Sequence, residues 1–263
     1  MAKQCLCVEI GQVASDLPVP YWNVFLKDRS VVDDENNLDK NILQLIPYIS
    51  FVRKVKEAEA QPWDMEVLTY VRSKASGENR LHDKLSIGYG GHIDRIPAVN
   101  ETLLDLVISE AIREVKEELG YDVPYQMVAA AAQMELLVRK QFLYSESVPV
   151  DTVHLGIALV IQLDDDVNAP ATFVGTDGEC IDINWMKIET IDDDTLGRFE
   201  TWSNMVVSGL RAHVLGIKKH LTNEAVVKDS SSAIDMPSNY KELLEVLAAA
   251  GEAAEGQEAA PVP

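Results

Sequence analysis

One segment of this 263-residue chain limits its fold more than any other, because residues 101–120 have the periodicity of a long amphipathic helix. Its apolar residues recur at spacings of three and four and form one stripe, which consists of Leu104, Ile108, Ile112, Val115 and Leu119. Asn100 is suited to the N-cap position, and Gly120 is suited to ending the helix. The segment therefore predicts a helix with one face packed on a hydrophobic core.

The same predicted helix carries three carboxylates at positions i, i+3 and i+4, which are Glu114, Glu117 and Glu118. Helical geometry places them within roughly 100° of one another, away from most of the apolar stripe. Such like charges repel by on the order of a few tenths of a kcal/mol per pair, so their clustering suggests a divalent cation that prefers oxygen ligands. Arg113 could hold one carboxylate in a fixed rotamer. The alternative is a solvated acidic face, with which Lys116 is also consistent.

The charge balance argues against a polyanionic partner. The chain has 43 acidic and 23 basic residues and a net charge of −20, so it would repel nucleic acid. Small polyphosphates remain compatible with it where divalent cations bridge them to carboxylates, because the cations neutralise both sides. With 47% hydrophobic residues, the chain can bury the core of one large domain or two small ones. We therefore expect a small-molecule partner.

The cysteines and the apolar runs favour a cytoplasmic location. Cys5 and Cys7 are too close in sequence for a routine framework disulfide, and with Cys180 they make an odd set. A Cys-x-Cys pair without a second ligand pair nearby indicates zinc only weakly. Residues 1–12 lack the apolar core of a signal peptide, and no apolar run approaches 18 residues. The sequence predicts neither export by a standard signal nor a membrane span.

The remaining pattern predicts an α/β chain of the α+β kind. Apolar runs bounded by turn signals predict strands at 45–55, 65–71, 85–89, 126–139, 152–163 and 181–186. The periodicity of residues 199–221 predicts a second long helix. Three regions are expected: an N-terminal extension packed on the domain (1–42), the domain (43–222), and a mostly flexible acidic and alanine-rich tail (223–263) with one short helix at 240–250.

The carboxylate helix contains a recognisable motif. Residues 113–121 read REVKEELGY and resemble the second half of the Nudix box, G-x5-E-x7-R-E-U-x-E-E-x-G-U, where U is apolar and Tyr121 counts as such. The first half departs from the pattern, because Asp105 stands where the pattern has glutamate. Gly91 precedes Arg113 by 22 residues rather than 14, which implies an insertion of about eight residues near 95–100. These departures leave the metal-binding half of the motif intact.

Five further segments look like a branch of predicted Nudix phosphoesterases. They read QLIPY (44–48), GENRLH (77–82), SIGYGGHI (86–93), VHLG (153–156) and FETWS (199–203). The resemblance covers roughly residues 40–210 and implies a Nudix-like α/β/α sandwich with a mixed sheet, the box helix on one side and the second long helix on another. It further implies hydrolysis of a phosphoanhydride bond in a nucleoside diphosphate linked to another moiety, such as ADP-ribose or a dinucleotide. Homodimers are common in the family, which leaves a second copy of the chain open as a partner.

The resemblance also assigns roles to the residues of the motif. In the family the box holds one to three Mg²⁺ ions, and Mn²⁺ can replace them. Carried over to this chain, Glu114 and Glu118 are the expected direct ligands, and Glu117 is a further ligand or positions water. The Gly91 carbonyl is a further oxygen donor, and Arg113 orients carboxylates without reacting. The cation would supply most of the activation, so no strongly shifted protein base is required.

A base from a later loop is also expected, because family members often recruit one. Glu179, in the segment TDGE (176–179), is the best placed, with Asp177 and Glu135 as alternatives. A solvated turn acid beside Gly178 is an equally good interpretation of Glu179. The chain does not reveal the substrate, because selectivity lies in variable loops such as residues 140–151.

Other polar and aromatic residues are weaker candidates. His92 and His154 could contact phosphate or base, but structural histidines at strand ends are more common. Phe142, Tyr144 and Trp63 could stack on a nucleobase or simply pack in the core. Two other functions stay open: a Nudix-like module that binds nucleotide without cleaving it, and an isomerase of isopentenyl diphosphate, which shares the fold but needs a catalytic cysteine and glutamate.

Overall fold

A computed structural model provides the structure of the protein. It describes residues 3–13, 19–33, 41–55, 64–74, 79–133, 142–147, 149–163, 170 and 172–227. The chain divides into two units, Met1–Lys218 and Lys219–Pro263. The second unit is described only over the last turns of a helix, so the tail helix expected at 240–250 lies outside the described residues. The three-region division drawn from the sequence stays a prediction.

The described residues contain one sheet of eight strands. The strands are β1 Gln4–Glu9, β2 Val24–Asp28, β3 Ile42–Lys54, β4 Met65–Arg72, β5 Leu85–Ser86, β6 Phe142–Leu143, β7 His154–Gln162 and β8 Cys180–Lys187. The long strand β3 is central, because it pairs with β7 in parallel along one edge and with β1 and β4 in antiparallel along the other. Strand β8 joins β4, and β2 joins β1. The strands predicted at 45–55 and 65–71 are present as β3 and β4, which are neighbours in the sheet.

Helices lie on both faces of this sheet. They are α1 Ile10–Val13, α2 Arg29–Val32, α3 Leu103–Leu119, α4 Tyr125–Ala132, α5 Asp193–Leu196 and α6 Thr201–Val227. Successive residues of β3 point to opposite faces: Phe51 packs in the cluster of α3 and α4, and Val52 packs in that of α6. The expected α+β class, with a mixed sheet between the box helix and the second long helix, is confirmed.

Helix α3 is the helix predicted from its apolar stripe, with one correction at its start. Thr102, not Asn100, is the N-cap, and its side chain accepts a hydrogen bond from the Asp105 backbone N–H at 3.1 Å. Asn100 instead has a positive φ of 72° in the preceding turn, a conformation that asparagine tolerates. Gly120 ends the helix in the left-handed conformation, with φ 64°, as predicted.

The prediction of a strand at residues 126–139 is wrong for the residues of this segment that the structure describes. Tyr125–Ala132 is helix α4, and residues 134–139 lie outside the described residues. The run contains four consecutive alanines, which favour helix, and Pro124 occupies the N-cap position before it. Val128 and Ala132 bury one face of the helix. A short apolar run of this kind does not distinguish a buried helix from a strand by periodicity.

Several further sequence predictions agree with the described elements, whereas the strand predicted at 85–89 is present only as β5, Leu85–Ser86. Strands β7 and β8 cover most of the segments predicted at 152–163 and 181–186, and α6 covers the second long helix. Cys5, Cys7 and Cys180 are buried free thiols, as expected from their spacing. Among the described residues, no helix has the length and apolar character needed to cross a membrane.

Candidate active site

Two carboxylates of helix α3 meet the loop that follows β5. The Glu118 carboxylate accepts a hydrogen bond from the Gly90 backbone N–H at 3.1 Å. The Glu114 carboxylate lies against Gly91, where a Cβ would stand 2.5 Å from Glu114 Oε1. Residues 114 and 118 are one helical turn apart, so they face the loop together. The paired glycines let the backbone approach both carboxylates closely.

Arg113 lies among the other carboxylates of the helix. Its guanidinium donates to Glu114 Oε1 at 2.5 Å, to Glu117 Oε2 at 2.9 Å and to Glu110 Oε2 at 2.8 Å. It also lies 3.5 Å from the His92 carbonyl oxygen, so it contacts the loop as well as the helix. The predicted contacts of Arg113 with carboxylates are therefore present. The Glu117 side chain is 58% exposed and faces solvent beyond Arg113.

The later loop that carries the predicted base is attached to the end of α3. The Thr176 backbone N–H donates to the Glu118 carbonyl at 2.9 Å, and its hydroxyl donates to the Glu117 carbonyl. Asp177 Oδ1 accepts from the Glu179 backbone N–H at 2.8 Å, which closes the turn. The loop thus places Asp177 and Glu179 at the C-terminal end of the box helix. Glu179 remains 43% exposed.

Arg72 connects the later loop with the helix, a role that the sequence analysis did not identify. It ends strand β4, is largely buried, and lies 3.6 Å from Glu179 Oε2. Its positive charge also acts on Glu118. The register places Arg72 opposite Cys180, the first residue of β8. An arginine at a strand end carries no periodic signal, so only the strand pairing identifies it.

Burial and mutual repulsion shift the pKa values of the helix carboxylates. Burial raises the pKa of Glu118 to about 8, with Arg72 lowering it and Glu114 raising it further. Burial likewise raises the pKa of Glu114, against the effect of Arg113. The Cys180 thiol lies 3.6 Å from Glu118 Oε2, and burial followed by the charge of Glu118 raises the pKa of that thiol. A thiol in this setting is poorly suited to act as a thiolate.

The insertion predicted in the box near residues 95–100 is attached to α3 by Arg95. Arg95 donates to Glu110 Oε1 at 3.0 Å and to both carboxylate oxygens of Glu101, at 2.6 and 2.9 Å. Neither Arg95 nor Glu110 was identified in the sequence. Asp105 belongs to a capping box, since its carboxylate accepts from the Thr102 backbone N–H at 3.1 Å. Asp105 therefore has a structural role at the helix start.

The histidines and aromatic residues that were weaker candidates do not gather as a group at the carboxylate loop. The rings of His92 and His154 meet edge to face, with centroids 5.5 Å apart, and burial lowers the pKa of His92 to about 3. Phe142 packs on Trp22, with ring centroids 5.3 Å apart, and the Tyr144 hydroxyl donates to Glu146 at 3.4 Å. Trp63 and Glu135 lie outside the described residues.

The donors at the loop fit a hard divalent cation in their chemistry. They are carboxylate oxygens beside glycine backbone, and the position of a Cβ at Gly91 is taken by the Glu114 carboxylate. Within the part of the chain that the structure describes, no three His, Cys, Asp or Glu side chains are already grouped around a metal position. Arg113 instead holds one oxygen each of Glu114 and Glu117.

The fold and this arrangement together define a class: a mixed sheet between helices, with a carboxylate-bearing helix that follows a two-glycine loop. The structure of Tm1382, described as a candidate Nudix hydrolase, matches 80% of this chain and 98% of its own chain, with a TM-score of 0.52 and 17% identity. The chain therefore has a Nudix fold. Protein YmaB of Bacillus subtilis (strain 168) is 29% identical over 170 residues, 64% of this chain and 71% of that protein. No family model matches the chain.

Proposed function

We propose that this chain is a Nudix-type pyrophosphohydrolase. It hydrolyses a phosphoanhydride bond in a nucleoside diphosphate linked to another moiety, such as ADP-ribose or a dinucleotide, and uses Mg²⁺ or Mn²⁺. The observation that carries the proposal is the meeting of Glu114 and Glu118 at Gly90–Gly91, next to an arginine that binds Glu114 and Glu117. The arginine and the three glutamates are residues that the second half of the box motif supplies.

The residues that would hold the cation are Glu114, Glu118, Glu117 and the carbonyl of Gly91. When bound, the cation supplies charge neutralisation at the phosphate oxygens and lowers the pKa of a bound water. Arg113 keeps Glu114 and Glu117 in fixed orientations through bonds of 2.5 and 2.9 Å. The net charge of −20 is compatible with an anionic substrate only where cations offset it locally.

Glu179 is the proposed general base. The hydrogen bonds of Thr176 to the end of α3 bring its loop to the carboxylates, and its side chain is 43% exposed, so a water molecule can reach it. Its carboxylate would accept the proton of the attacking water. Asp177 is the alternative base, because it is close enough to Glu118 for its negative charge to raise the pKa of that carboxyl. Its Oδ1 is engaged in the turn, however, so Glu179 is preferred.

The two alternatives left open by the sequence, a binding module and an isomerase, differ from a hydrolase in what they release. A binding module retains nucleotide and releases nothing. An isomerase keeps the diphosphate intact and requires a reactive cysteine, whereas Cys180 is 5% exposed and its pKa is raised by burial. The intact set of box carboxylates favours hydrolysis over both.

The test is phosphate-product release from a panel of nucleoside diphosphate derivatives in Mg²⁺. The Glu117→Gln/Glu118→Gln double variant is compared with Asp193→Asn/Asp194→Asn, which removes the same charge from helix α5. We expect Mg²⁺-dependent cleavage in the wild type and the control and its loss in the double variant. Nucleotide binding without cleavage in the wild type would replace the proposal with the binding module, and an isomerised diphosphate would replace it with the isomerase.

A further inference from the structure

Arg95 attaches the insertion in the box to helix α3. Arg95 makes two hydrogen bonds to the Glu101 carboxylate, at 2.6 and 2.9 Å, and a third to Ser109 Oγ at 3.0 Å. Glu101 Oε2 also accepts from the Ala98 backbone N–H at 2.7 Å, which closes the segment on itself. A planar guanidinium with several donors used in this way has a defined orientation.

A fourth bond of Arg95 leads toward the active site. Its Nε donates to Glu110 Oε1 at 3.0 Å, and the other oxygen, Glu110 Oε2, accepts from Arg113 Nε at 2.8 Å. The Glu110 side chain is only 7% exposed. A carboxylate buried to this extent needs both oxygens satisfied, so its plane is set by the two arginines together.

The orientation of Arg113 follows from that of Glu110. With Nε on Glu110, the two terminal nitrogens of Arg113 face Glu117 Oε2 and Glu114 Oε1. We propose that Arg95 is a positioning residue of the active site, which acts through Glu110 to fix the Arg113 guanidinium and thereby the carboxylates of Glu114 and Glu117. The consequence for metal use rests on the proposed hydrolase function.

A purely structural role of Arg95 would have a different effect. Arg95 is 40% exposed and lies in the inserted segment, so its loss as a structural anchor would lower stability and leave Arg113 unchanged. A positioning role predicts that Arg113 loses its fixed orientation even where the protein remains folded. Groups outside the direct ligands commonly change metal affinity when they orient those ligands.

The experiment compares Arg95→Met with Arg53→Met in the full chain. Arg53 is a matched control, because its guanidinium also pairs with a carboxylate and lies 2.8 Å from Glu66 Oε2. Glu66 is near the start of β4, at the other end of the strand from Arg72. Heteronuclear NMR of the arginine side chains, assigned with Arg113→Lys, reports the exchange of the Arg113 Nε–H with water. We expect exchange to rise by about tenfold in Arg95→Met, to stay unchanged in Arg53→Met, and to be partly restored in Arg95→Lys.

The second readout is Mn²⁺ affinity, measured by electron paramagnetic resonance. We expect Arg95→Met to weaken it by about 10- to 100-fold and Arg53→Met to leave it unchanged. An unchanged Arg113 Nε–H signal in Arg95→Met, or an unchanged Mn²⁺ affinity, would overturn the positioning role. A wild-type protein that binds Mn²⁺ but cleaves no substrate would contradict the proposed hydrolase function. The comparison of Arg95→Met with Arg53→Met would still test the positioning role. A wild-type protein that binds no Mn²⁺ would overturn both.

Discussion

The Glu114 carboxylate lies where a side chain at position 91 would begin, because a Cβ built on Gly91 would stand 2.5 Å from Glu114 Oε1 and 2.7 Å from its Cδ. Real Cβ contacts are not this short, so Gly91→Ala must displace Glu114. We expect Gly91→Ala to weaken Mn²⁺ binding by about 10- to 100-fold, as for other disturbances of ligand orientation. The overpacking should also cost about 1–3 kcal/mol of the free energy of unfolding.

Gly11→Ala is the control for this substitution. Among the described residues, and apart from its chain neighbours and the backbone of its own helix α1, no atom lies within 4 Å of a Cβ at Gly11. Alanine there should keep Mn²⁺ affinity and leave stability unchanged or raise it by about 0.4–1 kcal/mol. Isothermal titration with Mn²⁺ and urea unfolding give both quantities. Equal Mn²⁺ affinities in the two variants would show that Glu114 does not contribute to the site.

The second prediction concerns the base. Glu179→Gln keeps the shape of the side chain and removes its proton-accepting charge. If Glu179 takes the proton of water, kcat should fall by about 10²–10⁴, the usual contribution of a general base. Mn²⁺ affinity should change little, because Glu179 lies on the later loop and pairs with Arg72.

The matched variant for the base is Asp177→Asn, on the same turn. Its Oδ1 can still accept the bond from the Glu179 N–H as an amide oxygen. We expect the fall in kcat to be large for Glu179→Gln and small for Asp177→Asn, measured at saturating substrate. The reverse order would assign the base to Asp177.

The carboxylate half of the site could be predicted from the sequence because it is local. Glu114 and Glu118 are four residues apart on a helix with a strong apolar stripe, and helical spacing fixes their common direction. Gly91 lies in the segment 86–93, which resembles a segment of predicted Nudix phosphoesterases. The structure places Gly91 against Glu114. The direction of the helix carboxylates therefore follows from local spacing, whereas the place of Gly91 was expected only from the resemblance to the Nudix box.

The rest of the site depends on tertiary contacts that no spacing encodes. Arg72 reaches Glu179 across paired strands, and Arg95 reaches Glu110 from an insertion that the motif lacks. The same limit explains helix α4, where an apolar run is compatible with a strand until its packing is known. Local pattern predicts the proposed helix ligands and Arg113 beside them, whereas Arg72 and Arg95 are found only in the packed fold.

The third prediction is a pH dependence of stability at Asp33. Burial by itself would raise the pKa of Asp33, but hydrogen bonds from Gln44 and Arg29 and the nearby His154 outweigh it, so its pKa lies below the ordinary value. The bond from Gln44 Nε2 is 2.7 Å, and that from Arg29 Nε is 2.9 Å. A carboxyl with a lowered pKa in the folded state stabilises the protein above the pKa of the unfolded chain, about 3.9.

This stabilisation should disappear as the pH falls through the lowered pKa, because protonation then removes the charge in the folded protein as well. We expect Asp33→Asn to reduce the free energy of unfolding by about 1–2 kcal/mol at pH 7 and to match the wild type once the pH is below the lowered pKa of Asp33. Urea unfolding at a series of pH values measures the difference. A deficit that stays constant with pH would mean that the charge of Asp33 does not contribute.

The fourth prediction separates helix capping from chemistry at Asp105, which stands where the box pattern has glutamate. The Asp105 carboxylate accepts from the Thr102 backbone N–H at 3.1 Å, while the Thr102 hydroxyl accepts from the Asp105 N–H at 3.1 Å. Loss of such a cap costs about 0.5–2 kcal/mol, so Asp105→Ala should lower the urea midpoint and keep kcat and Mn²⁺ affinity. Tyr125→Phe is the control, because it removes only the 3.2 Å bond from the Tyr125 hydroxyl to Asp105. A loss of Mn²⁺ affinity in Asp105→Ala, with stability unchanged, would instead place Asp105 in the active site.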